Sequence, residues 1–149
     1  MSQTYIGSTL RTGSDTLTDS TDGGFVVVSQ TTTVTTAAAG TATSATLTLP
    51  ASSQIIDFFI DTIQDEVVGG GTATAINATI GTAAAGTQYL SATDVIGGGR
   101  VALSFTTAQC AAMDDIGSNT SVVITVDPNG TISTTQGIYR LTVVYAQKV

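Results

Sequence analysis

The sequence predicts an all-β protein: an antiparallel β-sandwich of the jelly-roll type, with one short helix and an extended N-terminal arm. Three observations lead to this fold class. Thr supplies 30 of the 149 residues, and Val and Ile are also abundant. These β-branched side chains suit the pleated surface of a sheet. Short apolar runs alternate with polar residues, and Gly, Pro or Asn residues separate the runs at short intervals.

Residues 1–24 differ from the rest of the chain and are predicted to form the arm, with the sandwich domain spanning residues 25–149. The arm is rich in Asp and Gly and shows neither a strand nor a helix period. Its acids miss the spacing of a calcium-binding loop, so an acidic arm is the favoured interpretation over a calcium site. We expect it to dock on a neighbouring subunit through Tyr5, Ile6, Leu10 and Leu17.

Most of the predicted strands follow from alternation. They cover residues 25–36, 44–49, 72–80, 101–105 and 138–146. In the last of these, one face would carry Tyr139, Leu141, Val143 and Tyr145. Two further runs, 121–126 and 131–135, flank Asp-Pro-Asn-Gly, whose Pro and Gly positions suit a type I turn. This pattern predicts a hairpin.

Residues 55–63, Ile-Ile-Asp-Phe-Phe-Ile-Asp-Thr-Ile, fit two structures. A strand would place Ile56, Phe58 and Ile60 on one face, with Asp57 and Asp61 on the other. A helix would instead group Ile56 with residues 59, 60 and 63. The β-branched and aromatic content favours the strand.

One segment predicts a helix, near residues 107–115. Thr107 is a suitable N-cap, and the Ala, Gln and Met that follow are good helix formers. Cys110 within it has no histidine to activate it and is predicted to be a small buried residue.

Composition excludes several functions. The chain has no His and one Cys, so we expect no catalytic residues, no metal site and no cofactor, and predict that it is not an enzyme. The net charge of −7 argues against a nucleic-acid partner. No apolar run is long enough for a membrane span, and the first residues do not resemble a signal peptide.

Only 10% of the residues are charged, yet the mean hydropathy is positive. Apolar surface of this kind is typically covered by partner subunits, so we expect a homo-oligomer, specifically a trimer. Four acids are candidate interface residues: Asp57, Asp61, Asp114 and Asp115. On a strand, Asp57 and Asp61 would lie about 13 Å apart, too far to hold one metal ion. Arg100 is expected to form a salt bridge with an acid of the chain.

Three segments resemble small virion structural proteins of tailed bacteriophages. They are Gly-Thr-Ala-Ala-Ala-Gly-Thr-Gln-Tyr-Leu-Ser-Ala-Thr-Asp-Val at 81–95, Phe-Thr-Thr-Ala-Gln-Cys-Ala-Ala-Met at 105–113, and Gly-Ile-Tyr-Arg-Leu-Thr-Val-Val-Tyr-Ala-Gln at 137–147. The resemblance spans about residues 49–147 and lies in the local composition of the segments and in their order along the chain. Such proteins include capsid decoration, or cement, proteins.

The resemblance implies a non-enzymatic virion protein that binds the major capsid protein on the capsid exterior, commonly as a trimer. It would be made in the host cytoplasm and not secreted. The alternative is a tail, neck or fibre protein that binds a receptor or glycan, which an aromatic cluster near carboxylates would favour.

Overall fold

The computed structural model describes residues 11–12, 15–16, 25–67, 71–114, 116–132 and 135–148. Over these residues the chain forms ten strands and one helix. They are β1 Arg11–Thr12, β2 Asp15–Thr16, β3 Phe25–Thr35, β4 Thr43–Leu49, β5 Ser53–Gln64, β6 Ile76–Gly81, β7 Leu90–Asp94, β8 Gly99–Arg100, α1 Thr107–Ala112, β9 Thr120–Pro128 and β10 Ile138–Lys148. Among the described residues, no helix has the length and apolar character of a membrane span.

Two antiparallel four-strand sheets make up the domain, which confirms the predicted all-β sandwich. Sheet I has the strand order β3-β10-β5-β8, and sheet II the order β4-β9-β6-β7. From β3 onward every connection crosses between the sheets except that from β6 to β7. The antiparallel pairs are nested: β3 with β10, β4 with β9, β5 with β8, and β6 with β7.

The core lies between the inner faces of the two sheets. The predicted face of β10 is confirmed, since Tyr139, Leu141, Val143 and Tyr145 are all buried. The central strand β9 contributes three fully buried side chains from the opposite sheet, Val122, Ile124 and Val126. At about 25 cal/mol per Å² of apolar area, such side chains supply most of the favourable free energy of folding.

Residues 55–63 form a strand, as the β-branched content predicted, but the set of residues on its buried face differs from the predicted set. Phe58 and Ile60 are buried, whereas Ile56 is 52% exposed. The pairing of β5 with β10 shifts register near residue 56 and again near residue 63. Each bulge inserts one unpaired residue, which turns Ile56 and Ile63 to the solvent. The prediction that Ile56 shares the buried face was therefore wrong.

The predicted hairpin of 121–126 with 131–135 does not form. Both sides of β9 are already occupied, by β4 and by β6, and the pairing with β6 continues to Pro128. The next strand after Pro128, β10, belongs to sheet I. On the way the Thr131 carbonyl accepts a hydrogen bond from the backbone N–H of Thr72. Local turn chemistry was outweighed by pairing between distant strands.

Three smaller departures accompany this one. Residues 101–105 are not a strand, although Val101, Leu103 and Phe105 do pack against the core as the alternation predicted. The N-cap of α1 is Thr106 rather than Thr107, because Thr106 and Gln109 form a reciprocal capping box. Cys110 is exposed, whereas Gln109 is the buried residue of that turn.

In the N-terminal segment, the structure describes one feature. β1 pairs with β2 as a short antiparallel hairpin, Arg11 opposite Thr16 and Thr12 opposite Asp15. This short pairing does not test the expected extended arm at residues 1–24, which stays a prediction. The anchors Tyr5, Ile6, Leu10 and Leu17 lie outside the described residues, and their docking role stays a prediction.

Candidate functional site

The outer faces of the two sheets differ. On sheet II, residues 82–88 fold over the centre of the face: the backbone N–H of Ala85 donates to the Thr125 hydroxyl at 2.8 Å, and Thr125 is buried. The outer face of sheet I instead presents exposed apolar side chains such as Phe25 and Val27, together with an ionic cluster. The candidate binding surface is therefore on sheet I.

Asp61 is the centre of that ionic cluster. Arg100 donates to it from Nε at 2.8 Å and from Nη2 at 3.2 Å, and Arg140 donates from Nη2 at 3.1 Å. The guanidinium of Arg100 also lies 4.7 Å from the ring centre of Phe59, a cation–π contact. The Asp61 carboxylate thus binds both arginines, and it holds the guanidinium of Arg100 over the Phe59 ring.

Three consecutive glycines bring Arg100 to this position. Gly97, Gly98 and Gly99 have φ angles of +99°, +80° and +82°, which side chains rarely adopt. A Cβ at Gly98 would also lie 2.7 Å from an oxygen of Asp65. The glycine run is therefore a turn that starts β8 and sets Arg100 opposite Asp61 in the ladder.

The arginines lower the pKa of Asp61. The largest cause is the hydrogen bond from Arg100; partial burial opposes it, and the bond from Arg140 adds to the lowering. Both arginine side chains are about half exposed, at 59% and 45%. Solvent screening therefore limits what the pair adds to stability.

A cleft of about 370 Å³ opens beside this cluster. β8 pairs with β5 at Asp61 and Thr62, and the Val101 N–H continues this pairing to the Ile60 carbonyl. The next bond along the same edge is at Ile55, whose N–H donates to the Met113 carbonyl. The gap between these points is the cleft. It is lined by Asp57, Phe58, Phe59, Arg100, Val101, Ala102, Leu103 and Phe105.

The chemistry of the cleft is apolar with one acidic group at its edge. Asp57 accepts a hydrogen bond from the backbone N–H of Phe58 at 2.8 Å, which caps a donor on the uncovered stretch of the strand. The rings of Phe58 and Phe105 lie 6.3 Å apart behind it. Such a cleft can hold an apolar group or the face of a ring, with Asp57 available to accept from a hydroxyl or amide.

The structure brings together two of the four predicted interface acids. Asp57 and Asp61 share the outer face of β5 on either side of Phe59. Asp114 lies elsewhere, after α1, and accepts from Gln54 at 3.3 Å. Asp115 is outside the described residues. The expected salt bridge of Arg100 is confirmed, while an interface role for these acids stays a prediction.

Sequence reasoning missed one buried polar pair. Glu66, the only glutamate of the chain, is 9% exposed and accepts a hydrogen bond from the hydroxyl of the fully buried Tyr139. Its other carboxylate oxygen, Oε1, is buried without a partner among the described residues. Burial is the largest cause that raises the pKa of Tyr139 above its usual range, and the hydrogen bond to Glu66 raises it further. The two residues are 73 positions apart, and no sequence motif joins them.

The fold and the surface define a class: a two-sheet β-sandwich with one open, mixed apolar and ionic face and no group of metal-ligating side chains among the described residues. No protein-family model matches the chain, and neither does any curated protein. Among solved structures, it is similar to a chain of the Cyanophage Pam1 capsid asymmetric unit, at 23% identity and a TM-score of 0.57. The likeness covers 84% of this chain and 86% of that one, so the two share a fold over most of their lengths.

Proposed function

We propose that this chain is a structural protein of a bacteriophage virion that binds the exterior of the capsid as a homotrimer and stabilises the shell. Its partner would be the major capsid protein. The role needs no catalysis and no cofactor, in keeping with a chain that lacks histidine and has a single exposed cysteine. It would be made in the host cytoplasm and incorporated into the virion.

The observation that carries the proposal is the likeness to a chain of a cyanophage capsid asymmetric unit. It extends over more than four-fifths of both chains, so it involves the whole sandwich and not one motif. The resemblance of residues 81–95, 105–113 and 137–147 to small phage virion proteins supports the same class independently of the fold. Together they favour a component of the particle itself.

Strand order adds a second line of support. We infer that the nested pairs β3–β10, β4–β9, β5–β8 and β6–β7, with their eight strands joined mainly by crossings between the sheets, are a jelly roll. This architecture recurs in viral capsid domains and in lectins. A rigid sandwich of this type can bridge neighbouring shell subunits without deforming.

Stabilisation would follow from mass action. A protein that binds the assembled shell and not its free subunits shifts the equilibrium towards the shell.

The decisive experiment compares particles of the encoding phage made with and without this chain. Both are heated while a fluorescent dye reports genome release. We expect earlier release without the chain, and recovery when purified chain is added back.

Equal release temperatures, together with no binding of added chain to the shell, would overturn the capsid-stabilising role. A mock-treated sample that received an unrelated acidic β-sandwich protein controls for a general effect of added protein.

One observation favours a second candidate, a fibre or tail protein that binds a receptor or glycan. The structure places three phenylalanines beside Asp57 in an open cleft, the aromatic and carboxylate arrangement that suits stacking on a sugar ring. Phe59→Ala should then reduce adsorption of phage to host cells while leaving the temperature of genome release unchanged. Under the capsid proposal, adsorption is unaffected.

A further inference from the structure

The two lateral sides of the sandwich are built differently. On one side the sheets end in β8, of two residues, and β7, of five. Both regions are covered: Val101 and Met113 bond to the exposed edge of β5, and Gln109 of α1 donates to the Ser91 hydroxyl on β7 at 3.0 Å. Short, covered strands prevent unwanted pairing with other chains.

The opposite side ends in the long strands β3, of 11 residues, and β4, of seven. Residues 25–56, which include both strands, contain no Asp, Glu, Lys or Arg. Neither strand contains proline, and both pair with their inner neighbours without a register shift. The devices that usually protect an edge strand, namely charge, proline and bulges, are all missing from these two strands.

The backbone of β3 offers free pairing groups at this edge. The Thr35 carbonyl accepts from the Thr43 hydroxyl, so it points away from β10, while the Thr36 N–H donates towards β10, to the Gly137 carbonyl. Because hydrogen-bonding direction alternates along a strand, the odd-numbered residues from Phe25 to Thr33 also direct their N–H and C=O groups outward. Among the described residues, no strand pairs with them.

We propose that a second copy of this chain binds the β3–β4 side, continuing the sheet from the outer edge of β3. The charge distribution identifies the occupant. Two copies that each carry −7 repel one another, and this side is where they approach without like charges meeting. Phe25 and Val27, 60% and 62% exposed at the start of β3, would be covered in the same contact. The same side of both copies meets in this contact, so it is two-fold; it is separate from the contacts of the trimer proposed above and does not require a capsid.

The first test places one lysine at this edge. Thr31 is exposed in the middle of β3, so Thr31→Lys should fold normally. It should weaken self-association of the purified chain by about tenfold or more, since burying an unpaired ammonium at an interface costs several kcal/mol and residues 25–56 offer no acid to pair with it. Ala92→Lys, exposed on β7, is the matched control. Sedimentation measures both, and circular dichroism checks the fold.

The second test is cross-linking, which does not depend on a destabilised variant. Ser29→Cys in a Cys110→Ser background should give cross-linked copies with a short bifunctional maleimide, and Ala92→Cys in that background should not. Self-association that Thr31→Lys leaves unchanged would overturn the proposal. So would a Ser29→Cys variant that gives no cross-linked copies under conditions where the chain self-associates. Binding to phage shells is measured separately, so failure of the capsid proposal remains distinguishable.

Discussion

Tyr139→Phe tests the buried pair that sequence reasoning missed. The substitution removes one hydroxyl and keeps the ring, so the surrounding core remains filled. Tyr139 is fully buried, and Glu66 already has one carboxylate oxygen without a partner among the described residues. The variant leaves the second oxygen without its donor as well.

The cost follows from that geometry. Leaving a buried acceptor without its hydrogen bond costs about 1–3 kcal/mol. For a domain of this length, each kcal/mol corresponds to about 2–4 °C in Tm, so we expect a decrease of about 6 °C. Thermal unfolding followed by circular dichroism at pH 7 measures it.

Tyr145→Phe is the matched control. It removes the same hydroxyl from the same strand, but the partner is Gln30, a neutral and partly exposed side chain that donates to Tyr145 at 2.7 Å. Water can replace this bond, so the cost should stay below about 1 kcal/mol. Equal decreases in Tm for the two variants would refute the view that Glu66 depends on Tyr139.

Four further predictions concern the ionic cluster, the glycine turn and the assembly. Asp61→Asn should cost less than about 1 kcal/mol at neutral pH, since both arginines are about half exposed. The pKa of Asp61 is lowered by folding, so its contribution is present above the unfolded pKa and lost as pH falls; wild type and Asp61→Asn should converge in Tm in acid. Gly98→Ala should lower stability by about 1 kcal/mol or more through its positive φ and the nearby Asp65, whereas Gly117→Ala, with open space around it, should not. Light scattering on Thr31→Lys, in which the two-fold contact at β3 is weakened, should give about three times 15.0 kDa, and a monomer at micromolar concentration would contradict the trimer. Deleting residues 2–20 should leave the sandwich folded and weaken assembly; unfolding would mean that the arm belongs to the core.

The parts of the fold that follow from local pattern were predictable. Strict alternation in β10 identified its buried face, and the β-branched content of residues 55–63 decided between strand and helix. The bulges at Ile56 and Ile63 were not predictable, because they depend on how β5 fits β10. The hairpin after β9 failed for a related reason: its turn sequence is favourable, but both neighbours of β9 come from distant parts of the chain.

The candidate surface was likewise predictable where it depends on one strand, and not where it depends on pairing between distant strands. The acids Asp57 and Asp61 were found from the sequence because they sit on one strand with the right spacing. Their aromatic neighbour is in the same run, but Arg100 is 39 residues away and Arg140 is 79. Only the pairing of β8 and β10 with β5 brings these side chains to one carboxylate. Sequence could predict that Arg100 is paired, but not with which acid.

The separation of charge across the sandwich relates the two proposals. The described ion pairs gather around β5, β8 and β10, at the side of the cleft, while β3 and β4 carry no charge at all. In a four-strand sheet β3 and β8 are opposite edges, with β10 and β5 between them. Copies that associate through β3 therefore leave Asp57, Phe59 and Arg100 open to a different partner. Since that partner meets a surface with both charges present, its binding should weaken with salt, whereas the uncharged contact between copies should not.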